Sequence, residues 1–159
     1  MADRDSAAVE PARVDFYVLK GADVTARLRL ACRIAEKAYL ASQSVLIWHT
    51  EAAELATLDE MLWTFNDRSF VPHEMAEPGQ TALEAPVLLA SKTAAARPVD
   101  LIINLAPDPP PGVGATRRII EIIDGDEVRR RLGRVRWAAY RALGLKLTSH
   151  DLAPGASAP

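Results

Sequence analysis

The sequence has little cysteine, no long apolar run and no strong excess of charge of one sign. Cys32 is its single cysteine, which excludes an intrachain disulfide and a cysteine-based metal cluster. No apolar run approaches the ~18 residues of a membrane-spanning helix, and residues 1–13 lack the apolar stretch of a signal peptide. We therefore expect a cytoplasmic protein with no membrane segment.

The composition is that of one globular domain. The 159 residues are 49% hydrophobic and 25% charged, and a chain of this length buries enough surface to fold without a metal or a disulfide. A net charge of −2 argues against a general nucleic-acid-binding protein. The charges are uneven, however: residues 117–159 carry 9 Lys and Arg against 5 Asp and Glu, whereas residues 1–116 carry 10 against 16. This local basic surface indicates a localised anionic partner.

Apolar runs of strand length alternate with helical patterns along the chain. This rhythm predicts an α/β fold, a single-domain sandwich in which a mostly parallel central sheet of about five strands is flanked by helices. We expect a domain at 14–147 between flexible tails at 1–13 and 148–159. The predicted strands are 14–19, 44–48, 86–89, 100–105 and 119–123, with a short apolar element at 70–71 stopped by Pro72, and the predicted helices are 25–41, one that begins near Thr50, and 127–143.

Motifs of nucleotide-dependent or metal-dependent catalysis are missing. The glycines of GVGAT at 112–116 lead into a strand and are not followed by Lys-Ser/Thr, so they do not form a P-loop. The three histidines have no paired spacing, and Asp124-Gly125-Asp126 fits a turn with a helix N-cap better than a cation site. The residues therefore show no catalytic constellation, and we expect neither a metal nor a cofactor. A nucleotide-dependent enzyme with an unrecognised loop is the weakest of the alternatives, because the lysine of a P-loop is missing.

The last predicted helix carries two stripes. Val128, Leu132, Val135 and Ala139 recur at helical spacing and are predicted to face the core. The opposite stripe combines a tryptophan with arginines. A large apolar ring among cations is typical of a platform for an acidic peptide or for single-stranded nucleic acid, although the ring could also pack on arginine stems or a tail. The residues of this stripe are Arg130, Arg134, Trp137 and Arg141.

Residues 58–73 contain more large apolar side chains than one helix face can bury. Leu58 and Leu62 occupy the inward stripe of the predicted helix. The remaining side chains either extend the core or form a protein interface, because surplus aromatic residues are frequent at interfaces. These residues are Met61, Trp63, Phe65 and Phe70.

Several motifs together resemble the chi subunit family of bacterial DNA polymerase III. They occur in family order over residues 14–147, and the most specific is the pair LDEMLW and FVPH. The others are FYVL, ACRIAEKAY, VLIWHT, DLIINL and WAAYRALGLKL. The resemblance implies a nucleotide-binding-like fold without a P-loop, and a non-catalytic accessory subunit that is monomeric by itself.

The resemblance also implies partners and binding residues. Family members link the clamp loader to single-stranded DNA-binding protein during DNA replication, by binding its acidic C-terminal tail, which ends in phenylalanine; DNA is then contacted only indirectly. A lysine that is common in the family is replaced here by Ala138. The positions that match the family's tail-binding residues are Arg130, Arg134, Trp137, Tyr140, Arg141 and Ile123.

A second family interface binds the psi subunit of the clamp loader or a repair helicase. Trp63 and Phe70 match it, and Met61 and Phe65 lie beside them in sequence. The alternative to the adapter function is direct binding of single-stranded nucleic acid by the basic and aromatic last helix.

Overall fold

The structure is a computed structural model that describes residues 12–77, 83–92 and 98–152. Within these ranges the strands are β1 (Arg13–Leu19), β2 (Val45–Trp48), β3 (His73–Ala76), β4 (Val87–Ala90), β5 (Leu101–Asn104), β6 (Arg118–Ile123) and β7 (Lys146–Leu152), and the helices are α1 (Val24–Leu40), α2 (Ala52–Thr64) and α3 (Glu127–Ala142). The strands form one sheet in the order β3-β4-β2-β5-β6-β1-β7, and every neighbouring pair is parallel. The predicted α/β class is confirmed.

The sheet has seven strands in these ranges, two more than predicted. The predicted strands correspond to β1, β2, β4, β5 and β6, whose residues are mostly buried. The additional strands, β3 and β7, form the two edges of the sheet, and each pairs with one neighbour only. Edge strands are often short or partly polar, and here β3 has four residues and β7 is half-polar. β3 follows Pro72 instead of ending before it.

The predicted start of the C-terminal tail, at residue 148, was wrong. Residues 148–152 belong to β7, which pairs with β1 along its whole length. Residues 148–151 are all polar and only Leu152 is apolar, so the sequence of this half-exposed edge strand resembles a tail. The predicted N-terminal tail was wrong at its end, because Arg13 is the first residue of β1. Residues 1–11 and 153–159 of the predicted tails lie outside the described residues.

The helices cover both faces of the sheet. Since successive strand residues point to opposite faces, Tyr17 and Ile122 pack with α1 and α2, whereas Phe16 and Ile123 pack on the side of α3. Partly buried side chains from loops, among them Val113, also cover the α3 side. No helix in the described ranges is long and apolar enough to cross a membrane.

The rotation of α3 about its axis differs from the prediction. Its buried residues are Gly133, Arg136 and Tyr140, whereas Val128 is 50% and Val135 62% exposed. The buried face is thus displaced by one residue, which corresponds to about 100° around the helix. The predicted inward stripe of Val128, Leu132, Val135 and Ala139 was wrong.

The reason for this rotation is a buried carboxylate on β6. Glu121 is 0% exposed, and Arg136 Nη2 lies 3.0 Å from its Oε1. The Tyr140 hydroxyl and Asn104 Nδ2 both donate hydrogen bonds to its Oε2, at 2.5 and 2.8 Å. Burial raises the pKa of Glu121, and the charge of Arg136 opposes this shift. Because a buried carboxylate is costly unless it is paired, α3 turns its polar side to the sheet.

Two further contacts hold α3 in this position. Arg136 Nη1 donates a hydrogen bond to the Pro107 carbonyl oxygen at 2.8 Å, which ties the helix to the proline-rich loop. Gly133 lies so close to Ile123 that a Cβ atom at this position would overlap Ile123 Cδ1. The glycine therefore permits the close approach of α3 to β6 that the charged network requires.

We predict that Arg136→Met lowers the free energy of unfolding by about 3–5 kcal/mol, since it leaves Glu121 as an unpaired buried carboxylate. The double variant Glu121→Gln/Arg136→Met should recover much of this loss, because a neutral amide oxygen can still accept the hydrogen bond of Tyr140. Urea unfolding of the three proteins at pH 7 measures both effects. An equal loss in the single and double variants would contradict the charge-pair explanation.

Candidate functional site: a groove beside the last helix

A groove of about 480 Å³ runs between α3 and the adjacent part of the sheet. Four of the six predicted tail-binding residues line it: Ile123, Arg130, Arg134 and Trp137. Sequence reasoning did not identify the other lining residues, which come from the ends of β1 and β7 and from the close-packed turn of α3. They are Phe16, Val18, Lys20, Gly133, Ser149 and Asp151.

The floor of the groove is apolar. Phe16 and Val18 come from β1 and Ile123 from β6, near the carboxyl ends of these parallel strands. The Trp137 ring packs against Phe16, with ring centroids 5.1 Å apart and planes tilted by 58°. Trp137 is half-buried, so its ring forms a wall of the groove. The ring thus rests on β1, and the tail segments on which it was alternatively expected to pack lie outside the described residues.

The rims of the groove are charged. Arg130 and Arg134 of α3 and Lys20 after β1 supply three cations, and Asp151 of β7 supplies one carboxylate. Arg130 Nε donates a hydrogen bond to the Asp124 carbonyl oxygen at 3.2 Å. In the described part of the chain, Arg134 has no ion-pair partner. Its free guanidinium group can bind a carboxylate through two parallel hydrogen bonds.

The other two predicted tail-binding residues do not line the groove. Tyr140 is 0% exposed, its hydroxyl donates to Glu121, and its ring lies edge-on to Phe16 at 6.1 Å. The prediction that Tyr140 contacts a ligand was wrong, because this side chain supports the groove from beneath. Arg141 is exposed on α3 but is not one of the lining residues.

The surplus large apolar side chains of 58–73 divide into two pairs. Trp63 and Phe70 are 51% and 62% exposed, and their ring centroids are 5.3 Å apart. The Trp63 ring also lies against that of His73, with ring centroids 4.4 Å apart. Met61 and Phe65 are half-buried and pack against the core under α1 and α2. Of the four surplus apolar side chains, two therefore extend the core and two lie on the surface.

A smaller cavity of about 140 Å³ lies at the carboxyl ends of the central strands. Polar side chains that line it have partners within the protein: His49 Nε2 lies 3.1 Å from Glu54 Oε1, and Arg27 donates to the carbonyl oxygens of Ile122 and Leu105 at 3.0 and 2.8 Å. Burial lowers the pKa of His49, against the opposing effect of Glu54. These contacts give the cluster a structural role in joining α1 and α2 to the sheet.

The predicted turn at Asp124-Gly125-Asp126 has the geometry of a cap. Asp126 is the N-cap of α3, and its carboxylate accepts a hydrogen bond from the Arg129 backbone N–H at 2.9 Å. Asp124 accepts two hydrogen bonds from the Arg129 guanidinium group, at 2.8 and 2.7 Å. Among residues 12–77, 83–92 and 98–152, no group of three or more His, Cys, Asp or Glu side chains is arranged to hold a metal ion.

Comparison with known proteins identifies the family. The family described as DNA polymerase III chi subunit, HolC, matches residues 12–148. The DNA polymerase III subunit chi of Pseudomonas aeruginosa is 37% identical over 140 residues, which cover 88% of this chain and 96% of that protein. The DNA polymerase III subunit chi of Escherichia coli K12 is 30% identical over 123 residues, covering 76% and 82%. The chain therefore belongs to the DNA polymerase III chi subunit family.

Proposed function

We propose that this chain is a non-catalytic accessory subunit of DNA polymerase III that binds the acidic C-terminal tail of single-stranded DNA-binding protein. It thereby links that protein to the clamp loader during DNA replication. The observation that carries the proposal is the groove beside α3, in which the cations of Arg130, Arg134 and Lys20 border an apolar floor. Family membership supports the same function.

The chemistry of the groove fits a peptide that ends in phenylalanine. The phenyl ring would contact Phe16, Val18 and Ile123, and the terminal carboxylate would pair with Arg134. Asp151 on the opposite rim would repel acidic residues, so the acidic part of the tail is expected on the α3 side. Contacts of this kind give fast, salt-sensitive binding of modest affinity.

Direct binding of single-stranded nucleic acid is the competing function. It would use the same arginines for phosphates and Trp137 for base stacking. The structure gives less support to this function, because the Trp137 ring is half-buried and already packs against Phe16. Contact with DNA is therefore proposed to be indirect.

The exposed pair of Trp63 and Phe70 is proposed to bind the second partner, either the psi subunit of the clamp loader or a repair helicase. Two adjacent aromatic rings, each more than half exposed, present an apolar surface of the kind that anchors protein interfaces. Met61 and Phe65 are proposed to contribute only through their exposed parts, since both are half-buried against the core.

We predict that Arg134→Ala weakens binding of an acidic peptide that ends in phenylalanine by about 1.5–3 kcal/mol, the scale of a hydrogen bond to a charged group. Arg134→Lys should recover only part of this loss, because an ammonium group cannot form the paired contact. Fluorescence anisotropy titrations with a labelled peptide measure both. Arg131→Ala is the matched control, since Arg131 is an exposed arginine of α3 that does not line the groove.

The coupling between Arg134 and the peptide's chain end can be tested separately. Amidation of the peptide's C-terminus should weaken binding to the unmodified protein strongly and to the Arg134→Ala variant little. Equal weakening in both proteins would show that Arg134 does not recognise the terminal carboxylate. A labelled oligonucleotide that binds more tightly than the peptide at two salt concentrations would favour the nucleic-acid function instead.

We predict that Trp63→Ala/Phe70→Ala abolishes detectable binding to the psi subunit or helicase while the protein remains folded, because both rings are largely exposed. Pull-down with purified partners measures binding, and thermal unfolding measures the fold. Leu40→Ala, at a 73% exposed position of α1, is the control for loss of an exposed apolar side chain. Loss of cooperative unfolding in the double variant would show instead that the rings belong to the core.

A further inference from the structure

α3 carries a second exposed surface, separate from the groove. The displaced rotation of the helix leaves an apolar stripe on its flank, in which Val128 and Val135 are at least half exposed and Ala142 is exposed. Ala139 and Leu132 are half-buried, and Leu132 also lines the smaller cavity. We call these five residues the α3 stripe. Contiguous exposed apolar surface of this kind marks an interaction site more often than isolated apolar side chains do.

The spacing of the α3 stripe is that of a helix-packing seam. Its members follow one another at intervals of four, three, four and three residues, which is the a and d spacing of a heptad repeat. A second helix with the same spacing can insert its side chains between those of such a seam. The stripe therefore fits a partner helix better than an extended peptide.

The charge of α3 indicates which kind of helix can bind the stripe. α3 contains six arginines and one acidic residue, Glu127. Arg131, beside the stripe, is exposed and has no ion-pair partner in the described part of the chain. A second copy of α3 would bring arginines against arginines, which is unfavourable, whereas a helix with acidic flanks would pair with them.

We propose that the α3 stripe binds an amphipathic helix of another protein, with an apolar heptad seam and acidic flanking residues. The proposal does not depend on tail binding in the groove, because the stripe and the lining residues of the groove share no member. The occupant is a partner helix, not a second copy of this chain.

The experiment uses the full chain and two labelled synthetic helical peptides of three heptads. Both have leucine at a and d positions, one has glutamate at the flanking positions and the other has lysine. Fluorescence anisotropy should show the glutamate peptide binding about tenfold or more tightly than the lysine peptide, a difference of about 1.4 kcal/mol. Val135→Asp should weaken binding of the glutamate peptide about tenfold, and Arg131→Ala should weaken it severalfold.

Three controls separate binding at the stripe from a nonspecific effect of an added charge, from binding in the groove and from a general loss of structure. Leu40→Asp places the same charge at an exposed apolar position of α1 and should leave binding unchanged. An excess of the peptide that ends in phenylalanine should not displace the glutamate peptide, whether or not it binds the groove. Thermal unfolding should show that each variant is folded.

Three results would overturn the proposal. The first is equal binding of the two helical peptides, and the second is unchanged binding to the Val135→Asp variant. The third is dimerisation of the unmodified chain in sedimentation velocity that Val135→Asp abolishes, since the stripe would then bind a second copy. If the glutamate peptide binds as expected but the peptide that ends in phenylalanine does not bind, the result contradicts tail binding in the groove and leaves the stripe proposal supported.

Discussion

The ion pair between Glu121 and Arg136 determines how α3 sits on the sheet. Glu121 is fixed by the pairing of β6 with β1 and β5, and it points to the α3 side of the sheet, where it is fully buried. Arg136 and Tyr140, one helical turn apart, supply the cation and the hydroxyl that it requires. Once these two residues face the sheet, the positions of all other α3 side chains follow.

The free energies of burial explain why α3 turns Arg136 and Tyr140, and not its valines, toward the sheet. Full burial of a valine is worth about 1.5–3 kcal/mol, and Val128 and Val135 keep part of this burial because they are only half to two-thirds exposed. An unpaired buried carboxylate costs about 3–5 kcal/mol when its partner is removed, and the Tyr140 hydroxyl would lose its acceptor as well. Turning the valines inward would therefore lose more free energy than it gains.

Sequence reasoning located the interior strands because fully buried parallel strands are nearly continuous apolar runs, as in VLIW and LIIN. It missed β7 because KLTSHDL is an edge strand with a half-polar pattern. It missed the rotation of α3 because the usual rule places valine and leucine inward. The one available signal was Glu121 itself, a single acid inside the otherwise apolar run IIEII, which requires a cationic or hydroxyl partner on the helix that covers it.

Four of the six predicted tail-binding residues line the groove even though the predicted rotation of α3 was wrong. A rotation of about 100° moves the stripe of Arg130, Arg134 and Trp137 from the outer pole of α3 to its flank, where it meets the exposed ends of β1 and β7. Tyr140 lies on the side that turns inward, so the same rotation removes it from the surface. The arginine stripe was recognisable from the sequence, but its neighbours were not.

The wall opposite α3 depends on a second buried carboxylate. Asp15 of β1 accepts a hydrogen bond from Arg118 Nε of β6 at 2.8 Å and lies 3.3 Å from His150 Nε2 of β7. Burial alone would raise the pKa of Asp15, but its hydrogen bonds with Arg118 and His150 outweigh burial and lower it. The ionised carboxylate thus joins β6, β1 and β7, and β7 in turn places Ser149 and Asp151 on the far side of the groove. The two walls of the groove are therefore held by two different buried acids, Glu121 under α3 and Asp15 under β7, on opposite faces of the same sheet.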